Sequence, residues 1–153
     1  SWRILATMNS YDKTSLYEMS YAFMRRFSFI RVDAPEEDLE THIREYNLRW
    51  EISVRPEELD AVADVWKRTN TAVKGRKIGP AIARDMLSFI SEDSRGLKQS
   101  VTDAVTNYVY PQLEGVRNNG DIVREIAKSE NVDSNHLRQV GRDMLQVKFD
   151  GDN

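Results

Sequence analysis

Beyond Asp33, apolar residues return every three or four positions, the spacing of helices that bury one stripe and wet the other. Leu39, Ile43, Tyr46 and Trp50 form the first stripe. Pro35 suits a first helical position ahead of it, and Glu36, Glu37 and Asp38 suit the positive end of the helix dipole. Arg55-Pro56-Glu57-Glu58 opens a second helix with Leu59, Val62, Trp66 and Thr69 on its inner face. Gly79-Pro80 opens a third, whose stripe is Ile82, Met86, Phe89 and Ile90. Ser94 can cap a fourth, along which Leu97, Val101, Ala104, Val105 and Tyr108 keep the period until Pro111 and Gly115 end or kink it. Two shorter helices, Asp121 to Glu130 and Ser134 to Val147, follow across Asn131-Val132-Asp133.

The pattern ahead of Asp33 is different. Arg3-Ile4-Leu5-Ala6-Thr7-Met8 is an apolar run without alternation, the pattern of a strand buried on both faces. A polar loop, Asn9 to Ser15, leads to a short helix over Leu16 to Arg26, and Phe27-Ser28-Phe29-Ile30-Arg31-Val32 reads as a second strand. Two strands buried on both faces need a wider sheet, and nothing downstream reads as another strand; a lone pair is not a stable unit. The chain is therefore expected to be a piece of something larger. Its expected class is mainly α: a remnant of an α/β domain over 1–34, a helical domain over 35–115 and a helical extension over 116–153.

Composition narrows the chemistry. With 153 residues, 40% hydrophobic and 31% charged, the chain can bury a real core. A net charge of −3 favours neither a nucleic-acid nor a membrane role, and no apolar run approaches the ~20 residues of a spanning helix. The absence of cysteine removes disulfides, thiolate zinc sites and thiol nucleophiles. His42 and His136 are too far apart in sequence for a His-rich metal site and read as surface or capping residues. Trp2, Trp50 and Trp66 read as core, and the expected location is cytoplasmic.

Ile4-Leu5-Ala6-Thr7-Met8-Asn9, then Asp12, Leu16 and Ala22, then Met24-Arg25-Arg26-Phe27 resemble the second half of an AAA+ ATPase core, nearest the McrB-type and MoxR-type branch. Lys77-Ile78-Gly79-Pro80-Ala81-Ile82-Ala83-Arg84 and Tyr108-Val109-Tyr110-Pro111-Gln112-Leu113-Glu114-Gly115 resemble the helical lid of that branch, so the likeness covers about residues 2–115. It implies that Asn9 is the sensor-1 residue, that Arg26, with Arg25 beside it, is the arginine finger, and that Arg84 is the sensor-2 arginine of the lid. Arg84 stands one residue farther from the glycine than is usual in that branch.

Each position has a chemical rationale and a plain alternative. A neutral amide such as Asn9 at a strand's carboxyl end can orient the water that attacks a γ-phosphate; it can equally be a turn-forming asparagine. An arginine reaching into a neighbouring subunit stabilises charge on a transferring phosphoryl group, whereas an arginine pair at a helix end also suits the negative end of the dipole. Arg84 can touch a γ-phosphate or simply face solvent. Lys67-Arg68 and Lys74-Gly75-Arg76-Lys77 form an acid-free basic stretch that can contact phosphates or stay solvated.

A nucleoside triphosphatase needs a G-x-x-x-x-G-K-[ST] cradle, and Gly75-Arg76-Lys77-Ile78-Gly79-Pro80 has neither its spacing nor its ending. No apolar strand ends in Asp-Glu to hold magnesium; Val32-Asp33 comes nearest. This chain alone is thus expected to bind no nucleotide and hydrolyse none, while the intact protein would use ATP, or GTP as McrB-like members do, with Mg2+. Its partners would be neighbouring AAA+ subunits in a ring, a hexamer by the resemblance. In that fold the two front strands flank the missing P-loop strand, so they are expected to pair abnormally, with each other or across a strand-paired dimer. Two rivals stay open: a helical interaction module that donates its front strands to a partner sheet, and a nucleic-acid-binding domain using the last two helices as a helix-turn-helix. The last helix has only Arg138 and Arg142 as cations before Lys148.

Overall fold

The computed structural model describes residues 2–7, 22, 25–35, 37–75 and 77–149. They fall into two units, Ser1–Val32 and Asp33–Asn153.

The described part of the second unit holds six α-helices: α1 Leu39–Trp50, α2 Pro56–Ala72, α3 Pro80–Glu92, α4 Leu97–Ala104, α5 Asn119–Ile126 and α6 Ser134–Leu145. The central element is α2, which packs against α1, α3 and α5. It can do so because small residues, Ala61 and Ala63, lie beside Val62, Val65 and Trp66, all buried, so neighbours approach on more than one side. Ile43, Met86, Leu87, Ile90, Val101, Ile122, Ile126 and Leu137 complete a continuous core. The stripes expected from the sequence are the buried faces: Leu59, Val62, Trp66 and Thr69 of α2 are all buried.

Helix ends follow from local chemistry. Glu58 reaches back to the Arg55 backbone N–H at 2.7 Å, fixing the start of α2 around Pro56. Asp133 caps α6, its Oδ1 accepting from the N–H groups of Asn135 at 3.0 Å and His136 at 3.1 Å. The Asp133 N–H in turn donates to Thr102 Oγ1 at 2.8 Å, tying the start of α6 to α4. Beyond Ala104 the helix widens into a π turn over Val105–Val109 and then tightens into a 3-10 turn over Tyr110–Leu113. Pro111 is the cause, having no N–H to give and a ring that crowds the carbonyl four residues back.

Three boundaries differ from expectation. Pro35 lies ahead of α1, which begins at Leu39 after Asp38 turns left-handed (φ 47°, ψ 37°). Leu39 is the first fully buried side chain, whereas Glu37 and Asp38 before it are exposed and gain no burial by joining the helix. Ser94 caps nothing, because α4 starts after Gly96, whose φ of 107° favours glycine. The helix expected over Asp121 to Glu130 is shifted to Asn119–Ile126.

The first unit is where the expected architecture is not seen. Among the described residues there is no strand: 2–7 and 28–35 form no ladder. Trp2, expected in a core, is 99% exposed, and Leu5 (98%), Val32 (88%), Ile30 (86%) and Ile4 (72%) are exposed with it. A strand of this composition needs sheet neighbours on both sides, and the described residues supply none. The strand remnant over 1–34 is therefore corrected to described segments without regular structure, apart from a helical residue at Ala22. The rest of the helix expected over Leu16 to Arg26, up to Met24, lies outside the described residues.

Candidate functional site

The best-defined polar construction is the joint between α2 and α3. Asn70, on the inner face of α2 and 3% exposed, donates Nδ2 to the Ile78 carbonyl at 3.0 Å and accepts the Ile78 N–H on Oδ1 at 2.7 Å. One side-chain amide thus satisfies both backbone groups of Ile78, as a neighbouring strand would. Trp66 Nε1 adds a second bond to the Ile78 carbonyl at 2.8 Å, and Lys77 Nζ donates to the Asn70 carbonyl. Asn118 Nδ2 donates to the Ala72 carbonyl at 2.9 Å, closing the end of α2. The joint fixes where Gly79 and Pro80 begin α3, and so where Arg84 projects one turn later.

Arg84 is exposed on α3 and has no ion-pair partner among the described residues. Arg25 and Arg26 are exposed in a turn ahead of Phe27. Asn9 lies outside the described residues. The arginine pair belongs to the first unit and Arg84 to the second. A cationic side chain in water is free to meet an anion, which is compatible with a finger or a sensor and equally with a solvated surface.

The basic stretch is largely consumed inside the fold. Lys67 Nζ meets Glu40 at 3.1 Å, linking α2 to α1. Arg68 is anchored by Asp64 at 2.8 Å and reaches Glu125 of α5 at 3.4 Å. Lys74 alone stays exposed without such a partner among the described residues, and Arg76 lies outside them. The stretch from Lys67 to Lys77 is itself acid-free; its neutralising carboxylates come from Asp64 one turn earlier on α2, from Glu40 of α1 and from Glu125 of α5. His42 stacks on Tyr46 at 6.0 Å, and His136 is exposed near the start of α6. Among the described residues no group of three metal-ligating side chains occurs.

A shallow cavity of about 350 Å³ is lined by Arg95, Gly96, Leu97, Lys98, Gln99 and Asp133. Arg95 beside it bridges Asp93 and Asp103, each at 2.8 Å. The hydrogen bond from Arg95 holds the Asp93 carboxyl down to about 2, against partial burial that opposes it, and Asp93 raises Arg95 in return. Arg95, Asp93 and Asp103 thus satisfy one another.

No protein-family model, curated protein or solved structure matches the chain.

The functional assignment therefore has to come from the chemistry of its own residues. Asn70 and Tyr110 are the important ones that periodicity did not single out. Tyr110 is fully buried and donates its hydroxyl to the Leu137 carbonyl at 2.7 Å, and burial pushes its phenol well above the usual range. For Asn70 a signal existed: it sits four residues after Trp66 on an apolar face, where an amide must find partners.

Proposed function

We propose that the chain is the C-terminal part of an AAA+ ATPase module of the McrB-like and MoxR-like branch. In the intact ring Asn9 would serve as sensor-1, Arg26 (with Arg25) as the arginine finger, and Arg84 as the lid arginine facing the γ-phosphate. Hydrolysis of ATP, or of GTP, with Mg2+ held by elements outside this chain, would be coupled to macromolecular remodelling.

The supporting observation is a contrast between the two units. Residues 39–149 close a helical core of their own, while Trp2, Ile4, Leu5, Ile30 and Val32 stay exposed in segments whose composition suits an inner sheet. A lid that folds by itself beside sheet segments that do not is what the second half of such a module would give. The joint at Asn70 and Ile78 adds a rigid mount for Arg84.

The same exposed segments favour one alternative, a helical interaction module that adds its front strands to a partner's sheet. The helix-turn-helix alternative gains no support, since Lys67, Arg68 and Lys77 are tied within the fold and Arg142 lies 5.2 Å from the Phe149 ring.

The deciding experiment is Arg26→Ala in the protein that carries the P-loop half. Hydrolysis should fall by about 10³-fold or more with nucleotide binding nearly unchanged, and mixing with P-loop-defective subunits should not restore sites that face the altered arginine. Unchanged hydrolysis would discard the finger, and a reading frame without a P-loop upstream of Ser1 would leave the interaction module standing.

A further inference from the structure

We infer that Asn119 is a site of spontaneous backbone-assisted deamidation, gated by the C-terminal segment 146–149 that packs over α5 and α6. The inference is independent of the ATPase proposal.

Asn119-Gly120 opens α5. An asparagine followed by glycine is chemically vulnerable because no side chain shields the following backbone nitrogen from the Asn Cγ. Two neighbours of that nitrogen are engaged: the Asn119 N–H donates to Val116 O at 3.2 Å, and the Asp121 N–H donates to Asn118 O at 3.1 Å. The Gly120 N–H between them lies in the first helical turn and has no backbone acceptor among the described residues. The reaction would begin with loss of the Gly120 amide proton. A bond forms from that nitrogen to Asn119 Cγ, the Cγ–Nδ2 bond breaks, and ammonia leaves. Water then opens the succinimide at either carbonyl, giving aspartate or isoaspartate at position 119.

The fold restrains the reacting side chain. Asn119 Nδ2 donates to the Leu145 carbonyl at 3.1 Å, at the last residue of α6. Beyond it Gln146 turns left-handed (φ 53°), and the N–H groups of Gln146 and Val147 both donate to the Gly141 carbonyl. Val147 is buried, and Phe149 lies near two guanidinium groups, Arg124 at 5.8 Å and Arg142 at 5.2 Å from its ring centre. The same packing favours the glycine, because a Cβ at position 120 would sit 3.0 Å from Val147 Cγ1, which would have to give by a few tenths of an ångström. Docking of the segment thus favours the residue that makes Asn119 reactive, while the bond from Asn119 to Leu145 holds the amide away from attack. Attack on Cγ requires the first turn of α5 to open, so the rate follows local opening. The coupling is reciprocal: a carboxylate at position 119 would face the Leu145 carbonyl, acceptor against acceptor, and loosen the segment.

The test follows Asn119 by peptide mapping and mass spectrometry in the full chain, held in mildly alkaline buffer either folded or unfolded in urea. Conversion should be fastest unfolded, slowest in the folded parent, and about tenfold faster in folded Phe149→Ala than in the parent. Equal rates in Phe149→Ala and the parent, or no conversion of Asn119 in the unfolded chain, would overturn the inference. Asn119→Asp supplies a second readout, since it installs the product directly. Amide exchange at Val147 should accelerate about tenfold in that variant, and unchanged protection there would equally overturn the gating.

Discussion

Single side chains decide where this fold begins and ends its helices, and the charged ones leave a trace in pH. Asp93 takes its hydrogen bond from Arg95 beside the start of α4, which lowers its carboxyl to about 2 from an unfolded value near ~3.9. Asp133, accepting from the His136 and Asn135 N–H groups, is shifted in the same direction. A carboxyl with a depressed folded pKa contributes stability that is fully present above its unfolded value. That contribution fades as pH falls through the folded one. Thermal melting followed between pH ~4 and ~2 should therefore drop less steeply for Asp93→Asn than for the parent chain. Parallel curves would mean that Arg95 is held by Asp103 alone. These pairings were only partly legible in the sequence: Asp93 and Arg95 are neighbours, whereas Asp103 arrives by the fold of α4. Asn9 carries the sharpest chemical expectation at this scale, and it lies outside the described residues.

Elements were legible wherever burial and local propensity agree. The stripe of α2 is its buried face, that of α3 is buried at Met86 and Ile90 and half-buried at Ile82 and Phe89, and Pro56 and Pro80 stand at the first positions of those helices. Pro111 was expected to end or kink α4, and it does so by turning the helix through a π turn into a 3-10 turn. What periodicity could not supply is contact between distant parts of the chain, and the α2–α3 joint is the clearest case. Asn70 bonds a residue eight positions away, across a loop with no regular pattern. Replacing it with alanine leaves the buried Ile78 N–H without an acceptor and its carbonyl with Trp66 alone. Asn70→Ala should cost about 3 kcal/mol in urea unfolding, and Asn70→Asp at least as much, since it keeps the acceptor but loses the donor and buries a charge. A loss below about 1 kcal/mol would show that water replaces the amide and that the joint is not rigid. The basic stretch shows the same limit, since part of what pairs with it lies far away in sequence. Lys67 meets Glu40 and Arg68 reaches Glu125 on other helices, while Asp64 anchors Arg68 from within α2.

At the scale of the whole molecule, the two units differ in self-sufficiency, and that difference can be measured. Among the described residues, the buried side chains from Leu39 to Val147 form one continuous core within the second unit. Stability should therefore survive removal of the front. A chain of residues 33–153 should melt cooperatively within a few degrees of the full chain, with circular dichroism of a helical protein. The front segments should instead govern association. Fully covering an exposed Leu or Ile is worth roughly 1.5–3 kcal/mol, so burying Ile4, Leu5, Ile30 and Val32 together could hold two copies at micromolar concentration even after the cost of association. Sedimentation should show the full chain associating with rising concentration while residues 33–153 stay monomeric, and Leu5→Lys with Ile30→Lys should return the full chain to a monomer. A full chain that remains monomeric at high concentration would remove the strand-paired dimer. A truncated chain that unfolds would be more damaging, because the front segments would then belong to the helical core. The lid-like autonomy that supports the ATPase proposal would be lost.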